Sequence, residues 1–141
     1  MGYKKIPDWT KLPELKRLRD LSSPPKELYY QGTWDPEIFK NCAAVVGSRR
    51  ISDYGRRAVE KIIPKLVFGK KTVVSGFMYG TDQDAHQICL DNGGKTIAVL
   101  GWGVNFTLAG ADKKLAEKIV ATGGLLISEW ESQKPTLSTF P

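Results

Sequence analysis

Cys42-Ala43-Ala44-Val45-Val46-Gly47-Ser48-Arg49-Arg50 is the stretch that decides the fold: an apolar run of strand length that stops at a glycine, a hydroxyl and two arginines. Three later runs follow the same plan: Thr72-Val73-Val74 before Ser75-Gly76, Thr96-Ile97-Ala98-Val99-Leu100 before Gly101-Trp102-Gly103, and Leu125-Leu126-Ile127 before Ser128-Glu129-Trp130. None alternates polar with apolar. Continuous Val/Ile/Leu runs of this length suit strands covered on both faces, the situation of a parallel sheet. Between them lie helical patterns over Asp53 to Phe68, Asp82 to Leu90 and Asp112 to Ala121, the last with Leu115, Ile119 and Val120 on one stripe. The order βαβαβαβ predicts an open α/β sheet, mainly parallel, with helices on both faces and all four strand carboxyl ends at one edge. Pro64 inside the first helical pattern predicts a kink or an early end.

Outside this core the N-terminal part reads differently. Leu12, Leu15, Leu18 and Leu21 recur every three residues, consistent with one short amphipathic helix that Ser22-Ser23-Pro24-Pro25 stops. Residues 1–28 are thus expected to be a helical extension and linker, and residues 29–141 the core. Within the core, Tyr29-Tyr30-Gln31-Gly32 is expected to be a short edge strand, with Asp35 capping a small helix through Phe39.

The chain of 141 residues is 41% apolar and 26% charged, the profile of one folded domain. No run approaches the ~20 apolar residues of a membrane helix, and the N-terminus lacks the apolar stretch of a signal peptide, so a cytoplasmic protein is expected. Cys42 and Cys89 lie in apolar surroundings without a CxxC pair or zinc spacing, and are expected to be buried free thiols. The net charge of +6 is concentrated: residues 40–71 hold nine basic groups against Asp53 and Glu60. Such clustering is the footprint of a phosphate-rich partner or, equally, of a solvated helix face.

The chemistry is expected where the strands end. Gly47 lets the backbone approach a ligand, the helix opening at Asp53-Tyr54-Gly55 offers N–H groups to an anion, and Arg49 can add a bidentate phosphate contact; an ordinary tight turn is the alternative. After the second strand, Ser75 to His86 holds Gly76, Gly80 and a capping Thr81 or Asp82. Asp82, Asp84 and His86 have the types to ligate a metal, but capping and a packed imidazole explain them as well, and no metal is expected. The four ends together form a crevice. It lacks the GxGxxG and the acidic ribose ligand of a dinucleotide site, and P-loop, GxSxG and HExxH patterns are absent as well.

Several motifs, in order, carry a resemblance: Gly47-Ser48-Arg49 with Tyr54-Gly55, Ser75-Gly76 with Gly80 and Asp82-x-x-Ala85-His86, Gly93-Gly94-Lys95-Thr96 through Gly101, and Gly123-Gly124-Leu125 through Glu129. They closely resemble the Rossmann-like core of the DNA processing protein A (DprA, or Smf) family, from about Pro25 to Pro141. The resemblance implies a bacterial cytoplasmic protein that binds single-stranded DNA, protects incoming DNA in natural transformation and loads the RecA recombinase, with no cofactor and no enzymatic turnover. It places DNA phosphate at Gly47, Ser48 and Arg49, with Tyr54 and Gly55 in the same motif, Ser75 and Gly76 beside it, Tyr79 and Gly80 in the second loop, and Gly101 with Gly103 behind. Asp82, His86 and Glu129 are implied to support the pocket.

Three departures stand out. Tyr79 occupies the place where the family usually has Lys or Arg, and Phe106-Thr107-Leu108-Ala109-Gly110 replaces a Tyr-Pro turn. Relatives also continue past Phe140-Pro141 with an Arg-Asn-Arg stretch, further strands and the homodimer interface. A second reading is a nucleotide-binding or nucleotide-cleaving enzyme on the same core, similar to the cytokinin-activating phosphoribohydrolases called LOG. That family's Pro-Gly-Gly-x-Gly-Thr segment is absent, and Gly123-Gly124-Leu125 does not supply it.

Overall fold

The computed structural model describes residues 2–135; the Phe140-Pro141 end of the resemblance lies outside them. The chain forms one mixed sheet of six strands: β1 Lys4–Lys5, β2 Tyr29–Gly32, β3 Cys42–Ala44, β4 Thr72–Ser75, β5 Thr96–Val99 and β6 Leu125–Ser128. They lie in the order β1-β2-β6-β5-β4-β3. β3 to β6 are parallel, as the βαβ alternation predicts, so their carboxyl ends share one edge. β2 runs antiparallel between β6 and β1. The expectation of an edge position for β2 is therefore corrected: β1, two exposed lysines with no apolar pattern, closes that side.

Three α-helices fill the crossovers, α1 Asp53–Phe68, α2 Thr81–Asp91 and α3 Gly110–Ala121. All three pack on one face. Val59 and Ile63 of α1 and Ala85 and Cys89 of α2 meet Val73, while Leu115, Ala116 and Ile119 of α3 meet Ala98 and Leu126. Sequential strand order with crossovers of one hand requires this one-sided arrangement. The opposite face, carrying Val74, Ile97, Leu125 and Ile127, is covered by Tyr30, Trp34, Ile38 and Phe39. Helices thus lie on both faces, but those on the second are 3₁₀ turns: Trp9–Lys11, Pro13–Asp20 and Pro36–Phe39.

The leucine period explains the N-terminal segment. Three-residue spacing matches the 3₁₀ repeat, not the α repeat, so Leu12, Leu15 and Leu18 fall on one side and pack with Ile6, Trp9, Leu28 and Ile127. Leu21 lies beyond the turn and is exposed, contrary to its expected place on the stripe. Trp9 Nε1 donates to Pro25 O at 3.0 Å within the segment, and Trp34 Nε1 donates to Glu14 Oε1 at 2.9 Å, tying the segment to the residues that follow β2. Asp35 caps its turn as expected, accepting from Glu37 N at 3.0 Å.

Two further expectations are corrected. α1 does not end at Pro64 but continues to Phe68, where Gly69 N closes it on Lys65 O at 2.9 Å. Burial of Ile63 and Val59 against the sheet outweighs the lost backbone bond, which costs about 3 kcal/mol in an unsupported helix. Only Cys89 is buried; Cys42 is exposed because β3 is the edge strand and has no strand beyond it. Burial pushes the Cys89 thiol up to about 11, so it stays protonated and inert near neutral pH.

Candidate nucleic-acid interface

The site follows from how the loops after β3 and β4 are tied together. Gly47 to Ile51 leaves β3 and meets the start of α2, where Thr81 donates to Ser48 O from its backbone N at 3.1 Å and its hydroxyl at 3.0 Å. Gly80, at φ 85, makes this meeting possible: a Cβ there would sit 2.6 Å from Ser48 O and against the Arg49 carbonyl. At Gly47 a Cβ would strike the Thr81 side chain, 2.7 Å from Oγ1. Ser48 Oγ accepts from Arg50 N at 3.1 Å, tightening the turn from inside.

The loop after β4 is organised by Asp82. Its Oδ1 lies 3.0 Å from Ser75 Oγ and its Oδ2 accepts from Met78 N at 3.3 Å. Ser75 Oγ is also 2.5 Å from Val45 O, so one hydroxyl joins β4, β3's extension and α2. A side chain at Gly76 would meet Asp82 Oδ2 at 2.5 Å. His86, fully buried, spans from Gly76 O at 2.7 Å to Thr96 Oγ1 at 2.6 Å. Burial lowers its pKa below 6.5, against the opposing pull of Gly76 O and Asp82; Nε2 donates to Gly76 O, and the Thr96 hydroxyl beside Nδ1 also contacts Val73 O at 2.9 Å.

These ties correct the expected capping. α2 has Gly80 at its N-cap with no side-chain cap, because Thr81 and Asp82 turn to the two loops. Its first N–H groups are taken by protein: Thr81 N by Ser48 O, Gln83 N by Met78 O and Asp84 N by Gly80 O. At α1, Ser52 Oγ accepts from Gly55 N at 3.0 Å. His86 faces Gly76 and Thr96 through both ring nitrogens, and among the described residues no group of three or more His, Cys, Asp or Glu is placed to hold a metal.

At the carboxyl ends of β3 to β6 a crevice of about 640 Å³ opens. Gly47, Arg49, Ser75, Gly76, Asp82, Gly101 and Glu129 all line it. Ser48 and Gly55 line a neighbouring depression behind the Gly47 turn, bounded by Ile51 and Ile62 of the α1 side. Tyr54 is exposed on the first turn of α1, and Tyr79 is exposed at the tip of the second loop; neither lines the crevice. Gly103 is turned away too, where it lets residues 131–133 approach and donates to Gln133 O at 2.6 Å. Ser75 is in the wall but 2% exposed, with its hydroxyl already engaged.

The crevice also has an apolar rim that sequence reasoning did not assign: exposed Val46 and Val99, with Met78 and Trp130. The signal was present in the strand runs, whose last valines pass beyond the covered part of the sheet. Of the other basic groups in the charged stretch, Arg56, Arg57, Lys61 and Lys65 are exposed on α1, where Arg56 pairs with Asp84 at 3.7 Å, and Lys40, Arg50, Lys70 and Lys71 lie outside that helix. The α1 groups thus form the solvated helix face that is one reading of the charge cluster.

Comparison with known proteins places this arrangement. The chain matches the family described as DNA recombination-mediator protein A over residues 6–141. It is 39% identical to Protein Smf of Synechocystis over 139 residues, 96% of this chain and 33% of that protein. It is 38% identical to DNA processing protein DprA of Streptococcus pneumoniae over 125 residues, 88% of this chain and 43% of that protein. The chain thus spans less than half the length of these curated relatives. The crystal structure of DNA processing protein A from Streptococcus pneumoniae superposes with a TM-score of 0.77 at 34% identity, covering 99% of this chain and 48% of that one. The protein of the same name from Helicobacter pylori, described with a single-stranded DNA binding mode, superposes at 0.78 and 24% identity over 99% of this chain and 61% of that one, a likeness of fold. With the carboxyl ends of its four parallel strands at one sheet edge and the match running through nearly all of its length, the chain belongs to the DNA recombination-mediator protein A (DprA/Smf) family.

Proposed function

We propose that this chain is a single-stranded DNA-binding domain that acts in DNA processing by binding rather than by catalysis. The observation that carries the reading is the convergence of Gly47, Arg49, Gly76 and Gly101 on one crevice at the carboxyl edge of the parallel strands. A cation and a close-approach turn suit a phosphate, and the apolar rim of Val46, Met78, Val99 and Trp130 suits the bases or sugars beside it. Ser48, Tyr54, Gly55, Tyr79, Gly80 and Gly103 act indirectly in this reading: Ser48, Gly80 and Gly103 shape the loops, Gly55 takes the Ser52 cap at the start of α1, and Tyr54 and Tyr79 offer exposed rings on the approach. Asp82 and His86 hold the loops from behind.

Membership of the family, and the single-stranded DNA described for the Helicobacter pylori protein, support the choice of ligand. The wider role follows by extension: protection of incoming DNA in natural transformation and transfer of it to RecA, with assembly as a homodimer. A cytoplasmic location goes with that role, and no helix among the described residues is long and apolar enough to cross a membrane. Binding isotherms with oligo-dT and with nucleoside monophosphates, together with analysis for released free base, test the reading. Tight binding of the oligonucleotide with no free base supports it. Base release replaces it with the nucleotide-cleaving alternative, and preference for a monophosphate without base release replaces it with the nucleotide-binding one.

A further inference from the structure

The outer side of α1 carries groups that packing against the sheet does not use. Val59 and Ile63 turn inward, while Tyr54, Arg57, Lys61, Lys65 and Phe68 are all exposed. Their spacings of three, four, four and three residues set them in one stripe along the helix. Tyr54 is 76% exposed and Phe68 91%, the highest value for a large apolar side chain among the described residues. Arg57, Lys61 and Lys65 enter no ion pair there; the pair of this helix is made by Arg56, on the flank beside Asp84, where Asp53 and Glu60 also fall.

Both ends of the stripe meet other features. At its start, Tyr54 adjoins Gly55, which lines the depression behind the Gly47 turn. At its far end, Phe68 is followed by Lys70 and Lys71, which with Lys95 line a depression of about 320 Å³ at the amino ends of β4 and β5. Glu37 of the same wall is paired with Lys40 at 2.6 Å, and Lys71 Nζ donates to Asn41 Oδ1 at 2.9 Å. Lys70 and Lys95 are exposed. Positive charge thus continues from the carboxyl edge of the sheet, over α1, to the amino edge.

We propose that this stripe is a track for single-stranded DNA, along which the strand leaves the crevice and runs over α1 toward the amino edge. Regularly spaced cations suit successive phosphates, and exposed rings in line with them suit unpaired bases, whatever their sequence. Solvation accounts for the three cations but gives no reason for two exposed rings beside them. A duplex keeps its base faces stacked inside and could use the cations alone. The helix of 16 residues is about 24 Å long, so a strand at about 3.4 Å per phosphate crosses it in about seven nucleotides, and a more extended one in fewer. The inference rests on the single-stranded DNA reading and deepens it, by giving the strand a path beyond the phosphate-holding turn.

The test follows the anisotropy of labelled oligo-dT of about 6 and about 20 nucleotides, across a salt series, with the full chain and variants at exposed positions. Arg57→Gln/Lys61→Gln/Lys65→Gln removes the cations of the stripe, and Lys113→Gln/Lys114→Gln/Lys118→Gln removes the same charge from α3. The α1 triple is expected to flatten the log-log salt slope of the longer strand by about 2, at about 0.7 for each lost phosphate contact, and to leave the shorter strand unchanged. The α3 triple should leave both unchanged. Phe68→Ser should weaken the longer strand by about fivefold or more at an unaltered slope, because stacking releases no counterions. Equal slope changes from the two triples, or equal changes for the two lengths, reduce the stripe to net charge and overturn the track. An unaffected longer strand overturns it too, and leaves the DNA reading standing where Arg49→Ala still weakens the shorter one. If neither strand binds the unmodified chain, the DNA reading fails and the track with it.

Discussion

Thr81 gives both its backbone N–H and its hydroxyl to the carbonyl oxygen of Ser48, at 3.1 and 3.0 Å, and so fastens the arginine-bearing turn to the start of α2. A turn held in this way keeps its shape before any ligand arrives, which lowers the ordering cost of binding. Thr81→Val removes the hydroxyl donor and leaves the backbone one. It should cost about 0.5–1.5 kcal/mol of stability by urea denaturation, with a smaller loss of DNA affinity than removal of Arg49 produces.

Gly80 should tolerate no side chain. Gly80→Ala places a methyl group against the Ser48 and Arg49 carbonyls at a φ of 85, and both the collision and the backbone conformation oppose it. A loss of roughly 1–3 kcal/mol is expected from the strained backbone alone, seen as a lowered Tm. Gly93 is the control: it too has positive φ, at 76, but nothing lies within 4 Å of its Cβ position, so Gly93→Ala should cost less.

His86 predicts a pH dependence of stability. Its folded-state pKa lies below the ordinary 6.5 because burial disfavours the imidazolium, so between the two values the unfolded chain binds more protons. The stabilisation is complete above about 6.5 and declines as the pH falls from there toward the folded-state value. Denaturation midpoints at pH 7 and pH 5 should differ accordingly, and His86→Gln should reduce that difference while lowering stability at both.

The parts of the fold that were legible in the sequence are those where one force acts alone. α1 runs from Asp53 to Phe68 as its apolar spacing predicts, and the four parallel strands lie where the Val/Ile/Leu runs place them. The errors arise where tertiary context overrides a local rule: Pro64 is carried through the helix by packing, and Cys42 is exposed because sheet order makes β3 an edge. β1 has no apolar pattern to read, since it is two exposed lysines paired with β2. In the site, residue types were legible and directions were not. Ser75 looks like a ligand hydroxyl but points into the fold, and Gly103 looks like a phosphate loop but serves the segment at 131–133.

Tyr79 stands exposed at the tip of the second loop, outside the crevice wall, where the family resemblance leads one to expect a cation. If DNA leaving the crevice passes this tip, Tyr79→Arg adds one phosphate contact. The log-log salt slope for a single strand should then steepen by about 0.7, with higher affinity at low salt. An unchanged slope with the fold intact would place the DNA path elsewhere.

The central claim, that the Gly47-Ser48-Arg49 turn holds the phosphate of a single strand, is tested most directly by fluorescence anisotropy of labelled oligo-dT across a salt series, with matched duplex, Arg49→Ala and Arg56→Ala. Arg49 lines the crevice, whereas Arg56 lies on α1 beside Asp84. The account predicts single-strand preference, affinity falling steeply with salt, a loss of about 1.5–3 kcal/mol in Arg49→Ala and under about 1 in Arg56→Ala. Equal losses from the two arginines, or equal affinity for duplex and single strand, would contradict it and leave only a diffuse basic surface.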